Sequence, residues 1–233
     1  MTLWAVVPVK TLDAAKGRLA SLLGPAERRA LAEALLADVL QSLTSAPAVE
    51  RALVVSADPA ALILAARLGA VPLPEAPLGS ADCVLPPDDL DTEAALNHAL
   101  DQAAATAEAN GVAALLALPA DLPLVTPADV AALAADPLPA PGIVIAATAD
   151  GGTGALLRCP PLAIPARFGA DSLRAHLAAA ATLGVRARLV WRPNLAIDVD
   201  TPADLERLTV LPAVGQYTAA WLAAWRAAAH VGG

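Results

Sequence analysis

The sequence predicts a three-layer α/β/α sandwich around a mainly parallel sheet, and three observations carry that prediction. Short apolar runs recur along the chain, helical segments alternate with them, and there is no repeat and no obvious linker before Leu211-Pro212. With 57% hydrophobic and 16% charged residues over 233 positions, there is ample material for one buried core. Aromatic residues make up only 3%, so Ala, Leu and Val must build it.

The elements follow in order. Leu3–Val9 is an apolar run of the kind found in a strand covered on both faces. Pro25 opens a helix, and Leu31, Leu35, Leu36, Val39, Leu40 and Leu43 recur along it. Arg51–Ser56 reads as a second strand, Asp58–Leu68 as its helix and Ala70–Leu73 as a third strand. Leu78–Leu90 is a loop with prolines and carboxylates, too long for an idle connection. Asp91–Asn110 is helical by composition and Val112–Leu118 is a buried strand, after which Thr126-Pro127 starts a helix. Ile143–Ala147, Ala155–Arg158 and Arg186–Val190 are strand candidates, with a helix over Ser172–Leu183. Alternation of this kind implies right-handed crossovers in a parallel sheet. Residues 1–210 form one domain, and 211–233 a C-terminal helical tail with Trp221, Leu222 and Trp225 on one side. That tail is expected to cover a hydrophobic edge or to make a homodimer contact.

Bulk properties narrow the partners. A net charge of -8 and a pI near 4.7 argue against a nucleic-acid polymer. Two cysteines, Cys83 and Cys159, are too few for a disulfide framework or a zinc site. The N-terminus has no basic region or cleavage site of a signal peptide, and no stretch is apolar enough to span a membrane. The expectation is a soluble, cytoplasmic protein.

Chemistry concentrates in four places. Of 15 basic residues 13 are arginine, and both lysines, Lys10 and Lys16, fall in one loop with Arg18 close behind. A solvated turn is the plain alternative. Yet lysine is a compact point charge on a flexible stem, suited to phosphate, and this loop follows the first strand, where open parallel sheets bind ligands. It lacks both the GxxxxGK[ST] and the GxGxxG patterns. Next, Asp121 in Pro119-Ala120-Asp121-Leu122-Pro123 lies just past a buried strand, placed to hold Mg²⁺. Thr126 already caps the following helix, which weakens a capping role for Asp121. Third, Asp198 and Asp200 point to one side of an extended segment, and a divalent cation relieves such a pair. Asp204 reads as a helix cap with Thr201. Last come Gly151-Gly152-Thr153-Gly154 and the segment from Arg167 through Gly169 and Ser172 to His176. Glycines and a helix start favour an anion there, although two ordinary turns explain the same residues. His176 reads as a hydrogen bonder rather than a base.

Together, Val7-Pro8-Val9-Lys10 with Ala15-Lys16-Gly17-Arg18-Leu19, Pro119–Pro123, Gly152-Thr153-Gly154, Phe168-Gly169 with Ser172 and His176, and Asp198-Val199-Asp200-Thr201-Pro202 occur in the order of a known family. The chain resembles the 2-phospho-L-lactate or phosphoenolpyruvate guanylyltransferases of coenzyme F420 biosynthesis, over about Leu3 to Leu208. The resemblance implies a nucleotide-diphospho-sugar-transferase-like fold. It also implies attack by a phosphorylated three-carbon acid on the α-phosphorus of GTP, with pyrophosphate leaving and the product handed to the next enzyme. The acid would be phosphoenolpyruvate, 2-phospho-L-lactate or 3-phosphoglycerate. By the same resemblance Lys10, Lys16 and Arg18 would hold the triphosphate, and Asn97 would lie near the nucleoside. Asp121, Asp198 and Asp200 would hold Mg²⁺, while Thr153, Gly169 and Ser172 would bind the acid. The family usually has Gly where Ala95 stands, which loosens the case for guanine. A cytidylyltransferase or molybdenum cofactor guanylyltransferase of the same fold is the nearest alternative. A non-catalytic nucleotide-binding protein is a more distant one.

Overall fold

The computed structural model describes residues 2–77, 92–135, 139–211 and 213–231. The 78–90 loop expected from the sequence, and Cys83 with it, lie outside the described residues. Seven strands form one sheet: β1 (Leu3–Pro8), β2 (Arg51–Ser56), β3 (Val71–Pro74), β4 (Ala114–Ala117), β5 (Gly142–Ala147), β6 (Thr153–Cys159) and β7 (Arg186–Trp191). Their spatial order is β3-β2-β1-β4-β6-β5-β7. β1 runs parallel to β2 and β4, β2 to β3 and β5 to β7, while β6 runs antiparallel to both β4 and β5. A single reversed strand in an otherwise parallel sheet agrees with the mainly parallel sandwich read from the sequence.

Among the described residues there are seven α-helices, α1 (Pro25–Thr44), α2 (Pro59–Arg67), α3 (Thr92–Ala109), α4 (Pro127–Ala134), α5 (Ser172–Thr182), α6 (Pro202–Val210) and α7 (Gln216–Val231), of which α1 to α5 flank the sheet. The alternation of side chains along β1 explains the layers. Leu3, Ala5 and Val7 face α1, α2 and α4, whereas Trp4 and Val6 face α3 and α5. Burying both faces is what makes β1 apolar throughout.

α1 is leucine-rich on two sides because it lies between layers. Leu36, Val39, Leu40 and Leu43 pack on the sheet, and Leu31 and Leu35 pack on Leu205, Leu208 and Leu222 of α6 and α7. Within the tail, the N-terminus of α7 is capped from α1. Buried Asp38 accepts the Tyr217 N–H at 2.9 Å and the Thr218 N–H at 2.8 Å. A side chain on Gly215 would collide with that carboxylate. Trp221 and Trp225 stack at 5.7 Å on the same helix. The tail thus covers a face of α1 belonging to its own chain.

Candidate active site

β1 ends at Pro8, and the chain turns along the carboxyl edge of the sheet into the lysine loop. Two backbone N–H groups anchor the start of that loop. The Val9 N–H donates to the Val55 carbonyl at 2.9 Å, and the Leu12 N–H donates to Asp58 Oδ2 at 2.8 Å. Asp58 also caps α2 by accepting the Ala60 N–H at 2.8 Å. Burial pushes its carboxyl upward, but the N–H groups of Leu12, Ala60 and Ala61 outweigh this and hold it below the ordinary range. Sequence reading took Asp58 for a helix start only; the Asp58-Pro59 pair gave no sign of the loop it also holds.

Lys16 adopts a left-handed backbone (φ 56°, ψ 37°) that few non-glycine residues tolerate. From there its side chain, 8% exposed, reaches under the crevice. Its Nζ donates to Asp121 Oδ2 at 2.6 Å and to Asp200 Oδ1 at 2.9 Å. Burial pulls the Lys16 pKa down, yet the two carboxylates prevail and it stands above its ordinary 10.5. Asp121 follows β4, and Asp198 and Asp200 lie between β7 and α6. One oxygen from each of Asp121, Asp198 and Asp200 lies within 4.8 Å of the others, a set of hard donors suited to a divalent cation. The Asp198 carboxyl is pushed up to about 6, by lost solvation and then by the charges of Asp121 and Asp200. Since Asp198 is exposed, the neighbouring charges are the sturdier cause.

Beside the cluster lies a cavity of about 490 Å³, bordered by Val9, Lys10, Lys16, Pro119, Asp121 and Phe168. Of the residues marked by the sequence, Lys10, Lys16, Asp121 and Asp200 border this cavity. Arg18 does not; it is exposed on a short 3-10 turn, Gly17–Leu19. Asn97 does not reach the cavity directly either. Its side-chain amide donates to the Phe168 carbonyl at 2.9 Å and accepts the Phe168 N–H at 2.7 Å, so it positions the aromatic wall.

The segment marked for the acid is packed more deeply than expected. Thr153 and Ser172 are buried, and neither borders the cavity. Thr153 Oγ1 lies 3.1 Å from His176 Nδ1, and the Arg167 N–H donates to His176 Nε2 at 3.0 Å. Accepting at Nε2 places the ring proton on Nδ1, so Nδ1–H faces the threonine. His176 has no exposed surface, and burial, then the charges of Arg158 and Arg167, lower its pKa to about 4. It is a structural hydrogen bonder, as its position in the sequence suggested. Gly169 has φ 133°, and a side chain there would overlap Glu93, whose Oε1 accepts the Ala170 N–H at 3.1 Å.

Two braces were not visible in the sequence. A Cβ on Gly154 would overlap the Leu195 carbonyl, so bare backbone lets the 195–200 segment lie against β6. The same segment is tied down by Asn194, whose Nδ2 donates to Asp129 Oδ2 at 2.9 Å. Asp129 also completes the capping box with Thr126, as Asp204 does with Thr201. On the other side of the sheet, fully buried Arg158 donates to Asp101 Oδ1 at 3.0 Å and to the Ile164 carbonyl at 3.1 Å. Asp101 accepts the Ala166 N–H as well, which fixes the approach to Phe168 on α3.

Known proteins resemble this chain over most of its length. The family model described as "Guanylyl transferase CofC like" matches residues 3–75 and 87–229, which takes in most of α7. A phosphoenolpyruvate guanylyltransferase of Rubrobacter xylanophilus is 45% identical over 209 residues, covering 89% of this chain and 94% of that protein. One of Sphaerobacter thermophilus is 41% identical over 216 residues, covering 92% and 96%. Among solved structures, a protein of Desulfovibrio desulfuricans G20 described as a nucleotide-diphospho-sugar transferase superposes with a TM-score of 0.70. It is 20% identical and covers 97% of this chain and 96% of its own. A 4-diphosphocytidyl-2C-methyl-D-erythritol synthase superposes at 0.57, with 15% identity and coverage of 89% and 96%. At such identities the structures show the fold. Among the described residues, no helix is long and apolar enough to cross a membrane.

Proposed function

The chain belongs to the CofC-like guanylyl transferase family, and we propose that it joins GMP from GTP to phosphoenolpyruvate, releasing pyrophosphate, as a cytoplasmic step of coenzyme F420 biosynthesis. One observation supports this reading above the rest. A lysine-bearing loop and two of three convergent carboxylates, Asp121 and Asp200, border a cavity of nucleotide size at the carboxyl edge of the sheet. Phosphoenolpyruvate is the acceptor named for the relatives in the comparison.

In this reading the acid's phosphate oxygen attacks the α-phosphorus of GTP. The new P–O bond forms as the bond to the α,β-bridging oxygen breaks, and pyrophosphate leaves with that electron pair. The attacking phosphate is largely ionised near neutral pH, its second pKa being about 6, so no base is required. Asp121, Asp198 and Asp200 would hold Mg²⁺, which when bound supplies positive charge to the phosphates. Lys10 and Lys16 furnish the protein's own cations on the triphosphate side, with exposed Arg18 outside the cavity. Phe168, fixed by Asn97, walls the cavity in which the nucleoside rests. The acid would be received on the Gly169 side, where buried Thr153 and Ser172 shape the segment from behind and His176 lies beside Thr153. Alignment and charge neutralisation supply most of the acceleration in such a reaction.

The test is pyrophosphate release over four nucleoside triphosphates and three phospho-acids with Mg²⁺, with Asp121→Asn alongside. We expect turnover for GTP with phosphoenolpyruvate and its collapse in the variant. A preference for CTP would move the protein to the cytidylyltransferases, and full turnover by Asp121→Asn would remove the carboxylates from the mechanism.

A further inference from the structure

Lys16 holds a place that its proposed role does not explain. A residue that grips the triphosphate should present its ammonium to the cavity. Instead Nζ lies between Asp121 Oδ2 and Asp200 Oδ1, at 2.6 and 2.9 Å. Those residues are two of the three whose oxygens converge. We infer that Lys16 is an exchangeable internal counter-ion: it neutralises the carboxylates until a divalent cation takes them, and is thereby released to the nucleotide's phosphates. This rests on the metal and triphosphate assignments proposed above.

Charge and space support it. Three carboxylates within 4.8 Å repel one another, and Lys16 is the cation that contacts two of them. A Mg²⁺ ion bonds oxygen at about 2.0–2.1 Å. Bound to Asp121 and Asp200, it would sit against the ammonium that those same carboxylates now hold. Two positive centres cannot share that site cheaply, and the lysine is the flexible one. Lys16 also borders the cavity, so its stem has open space to enter. Its left-handed backbone fixes where the stem begins. The consequence is coupling. Metal binding frees a cation for the triphosphate, and by linkage the nucleotide tightens the metal by the same factor.

The test measures Mn²⁺ affinity directly, with and without an α,β-methylene analogue of GTP, in wild type, Lys16→Met and Lys10→Met. Without nucleotide, Lys16→Met should bind Mn²⁺ at least about fivefold tighter than wild type, because no ammonium competes. The tightening that the nucleotide confers on wild type should largely vanish in Lys16→Met and persist in Lys10→Met. Metal-free Lys16→Met should melt below wild type and recover with Mn²⁺. Equal or weaker Mn²⁺ binding by folded Lys16→Met would overturn the exchange, as would the same loss of synergy in Lys10→Met. If wild type itself binds no Mn²⁺, the metal assignment fails and the exchange with it. Should Lys16→Met not fold, Lys16→Gln, which keeps a donor without the charge, carries the same comparison.

Discussion

Replacing Gly154 by alanine tests whether the carboxylate-bearing segment is positioned by its contact with β6. The added Cβ would lie 2.9 Å from the Leu195 carbonyl carbon and overlap its oxygen. Non-bonded carbons settle at about 3.5–4.0 Å, so the Leu195 backbone must withdraw by at least about 0.6 Å. Asp198 and Asp200 follow three and five residues later with no regular element between, so they inherit much of that shift. A displacement near 1 Å in a site built on alignment costs about 10²-fold in rate, or about 2.7 kcal/mol of transition-state stabilisation. Gly154→Ala should therefore lose about two orders of magnitude in kcat/KM for pyrophosphate release and bind Mn²⁺ more weakly, while remaining folded by circular dichroism. Asn194→Ala removes only the tie to Asp129 and should show the same pattern in milder form. A Gly154→Ala enzyme with wild-type kcat/KM and wild-type Mn²⁺ affinity would refute the positioning argument.

Two further predictions concern stability. The His176 ring, at about 4, binds its proton more weakly than an unfolded histidine near 6.5. Unfolding is therefore linked to proton uptake: the contribution is complete above pH 6.5 and is lost as pH falls toward 4. Its full size is about 3 kcal/mol, and the wild-type minus His176→Gln difference in melting temperature should shrink across that window; a pH-independent difference would contradict it. Asp38→Ala removes the cap of α7 and leaves the Tyr217 and Thr218 N–H groups without their partner. That should cost about 1–2 kcal/mol and lower the melting temperature by about 2–8 °C; an unchanged melt would show that the tail adds little to the fold.

Much of the fold was legible because the apolar runs sit where strands must be buried on both sides. Arg51–Ser56 matches β2 residue for residue, and the other strands differ at their ends. The reversal of β6 was not legible, since a short apolar run such as Ala155–Arg158 carries no direction. That direction is set by its partners, Leu115–Ala117 and Gly142–Ala147. The site was legible as a set of residues and less so as a set of contacts. Lys10, Lys16, Asp121, Asp198 and Asp200 stood out by type and by position after strands. That Lys16 would meet Asp121 and Asp200, 105 and 184 positions away, is a product of the sheet order alone. Asn97 was read as a neighbour of the nucleoside, while its amide is engaged by Phe168; a polar side chain on a helix gives no sign of whether backbone or ligand will meet it.

The choice of lysine in a chain dominated by arginine has a physical reason at position 16. An arginine there would offer a planar fork to the carboxylates, and paired parallel hydrogen bonds hold more firmly than a single ammonium. Such a cation would stabilise the metal-free cluster and resist replacement. A lysine bridges two carboxylates from one atom, so two contacts are released by one movement of a flexible stem. The left-handed backbone at Lys16 and the Asp58 bond to the Leu12 N–H keep the root of that stem fixed while its tip changes partner. Rigid placement of the loop and a replaceable tip are thus complementary requirements. The first belongs to the backbone, and the second is met by a side chain that holds its partners with a point charge.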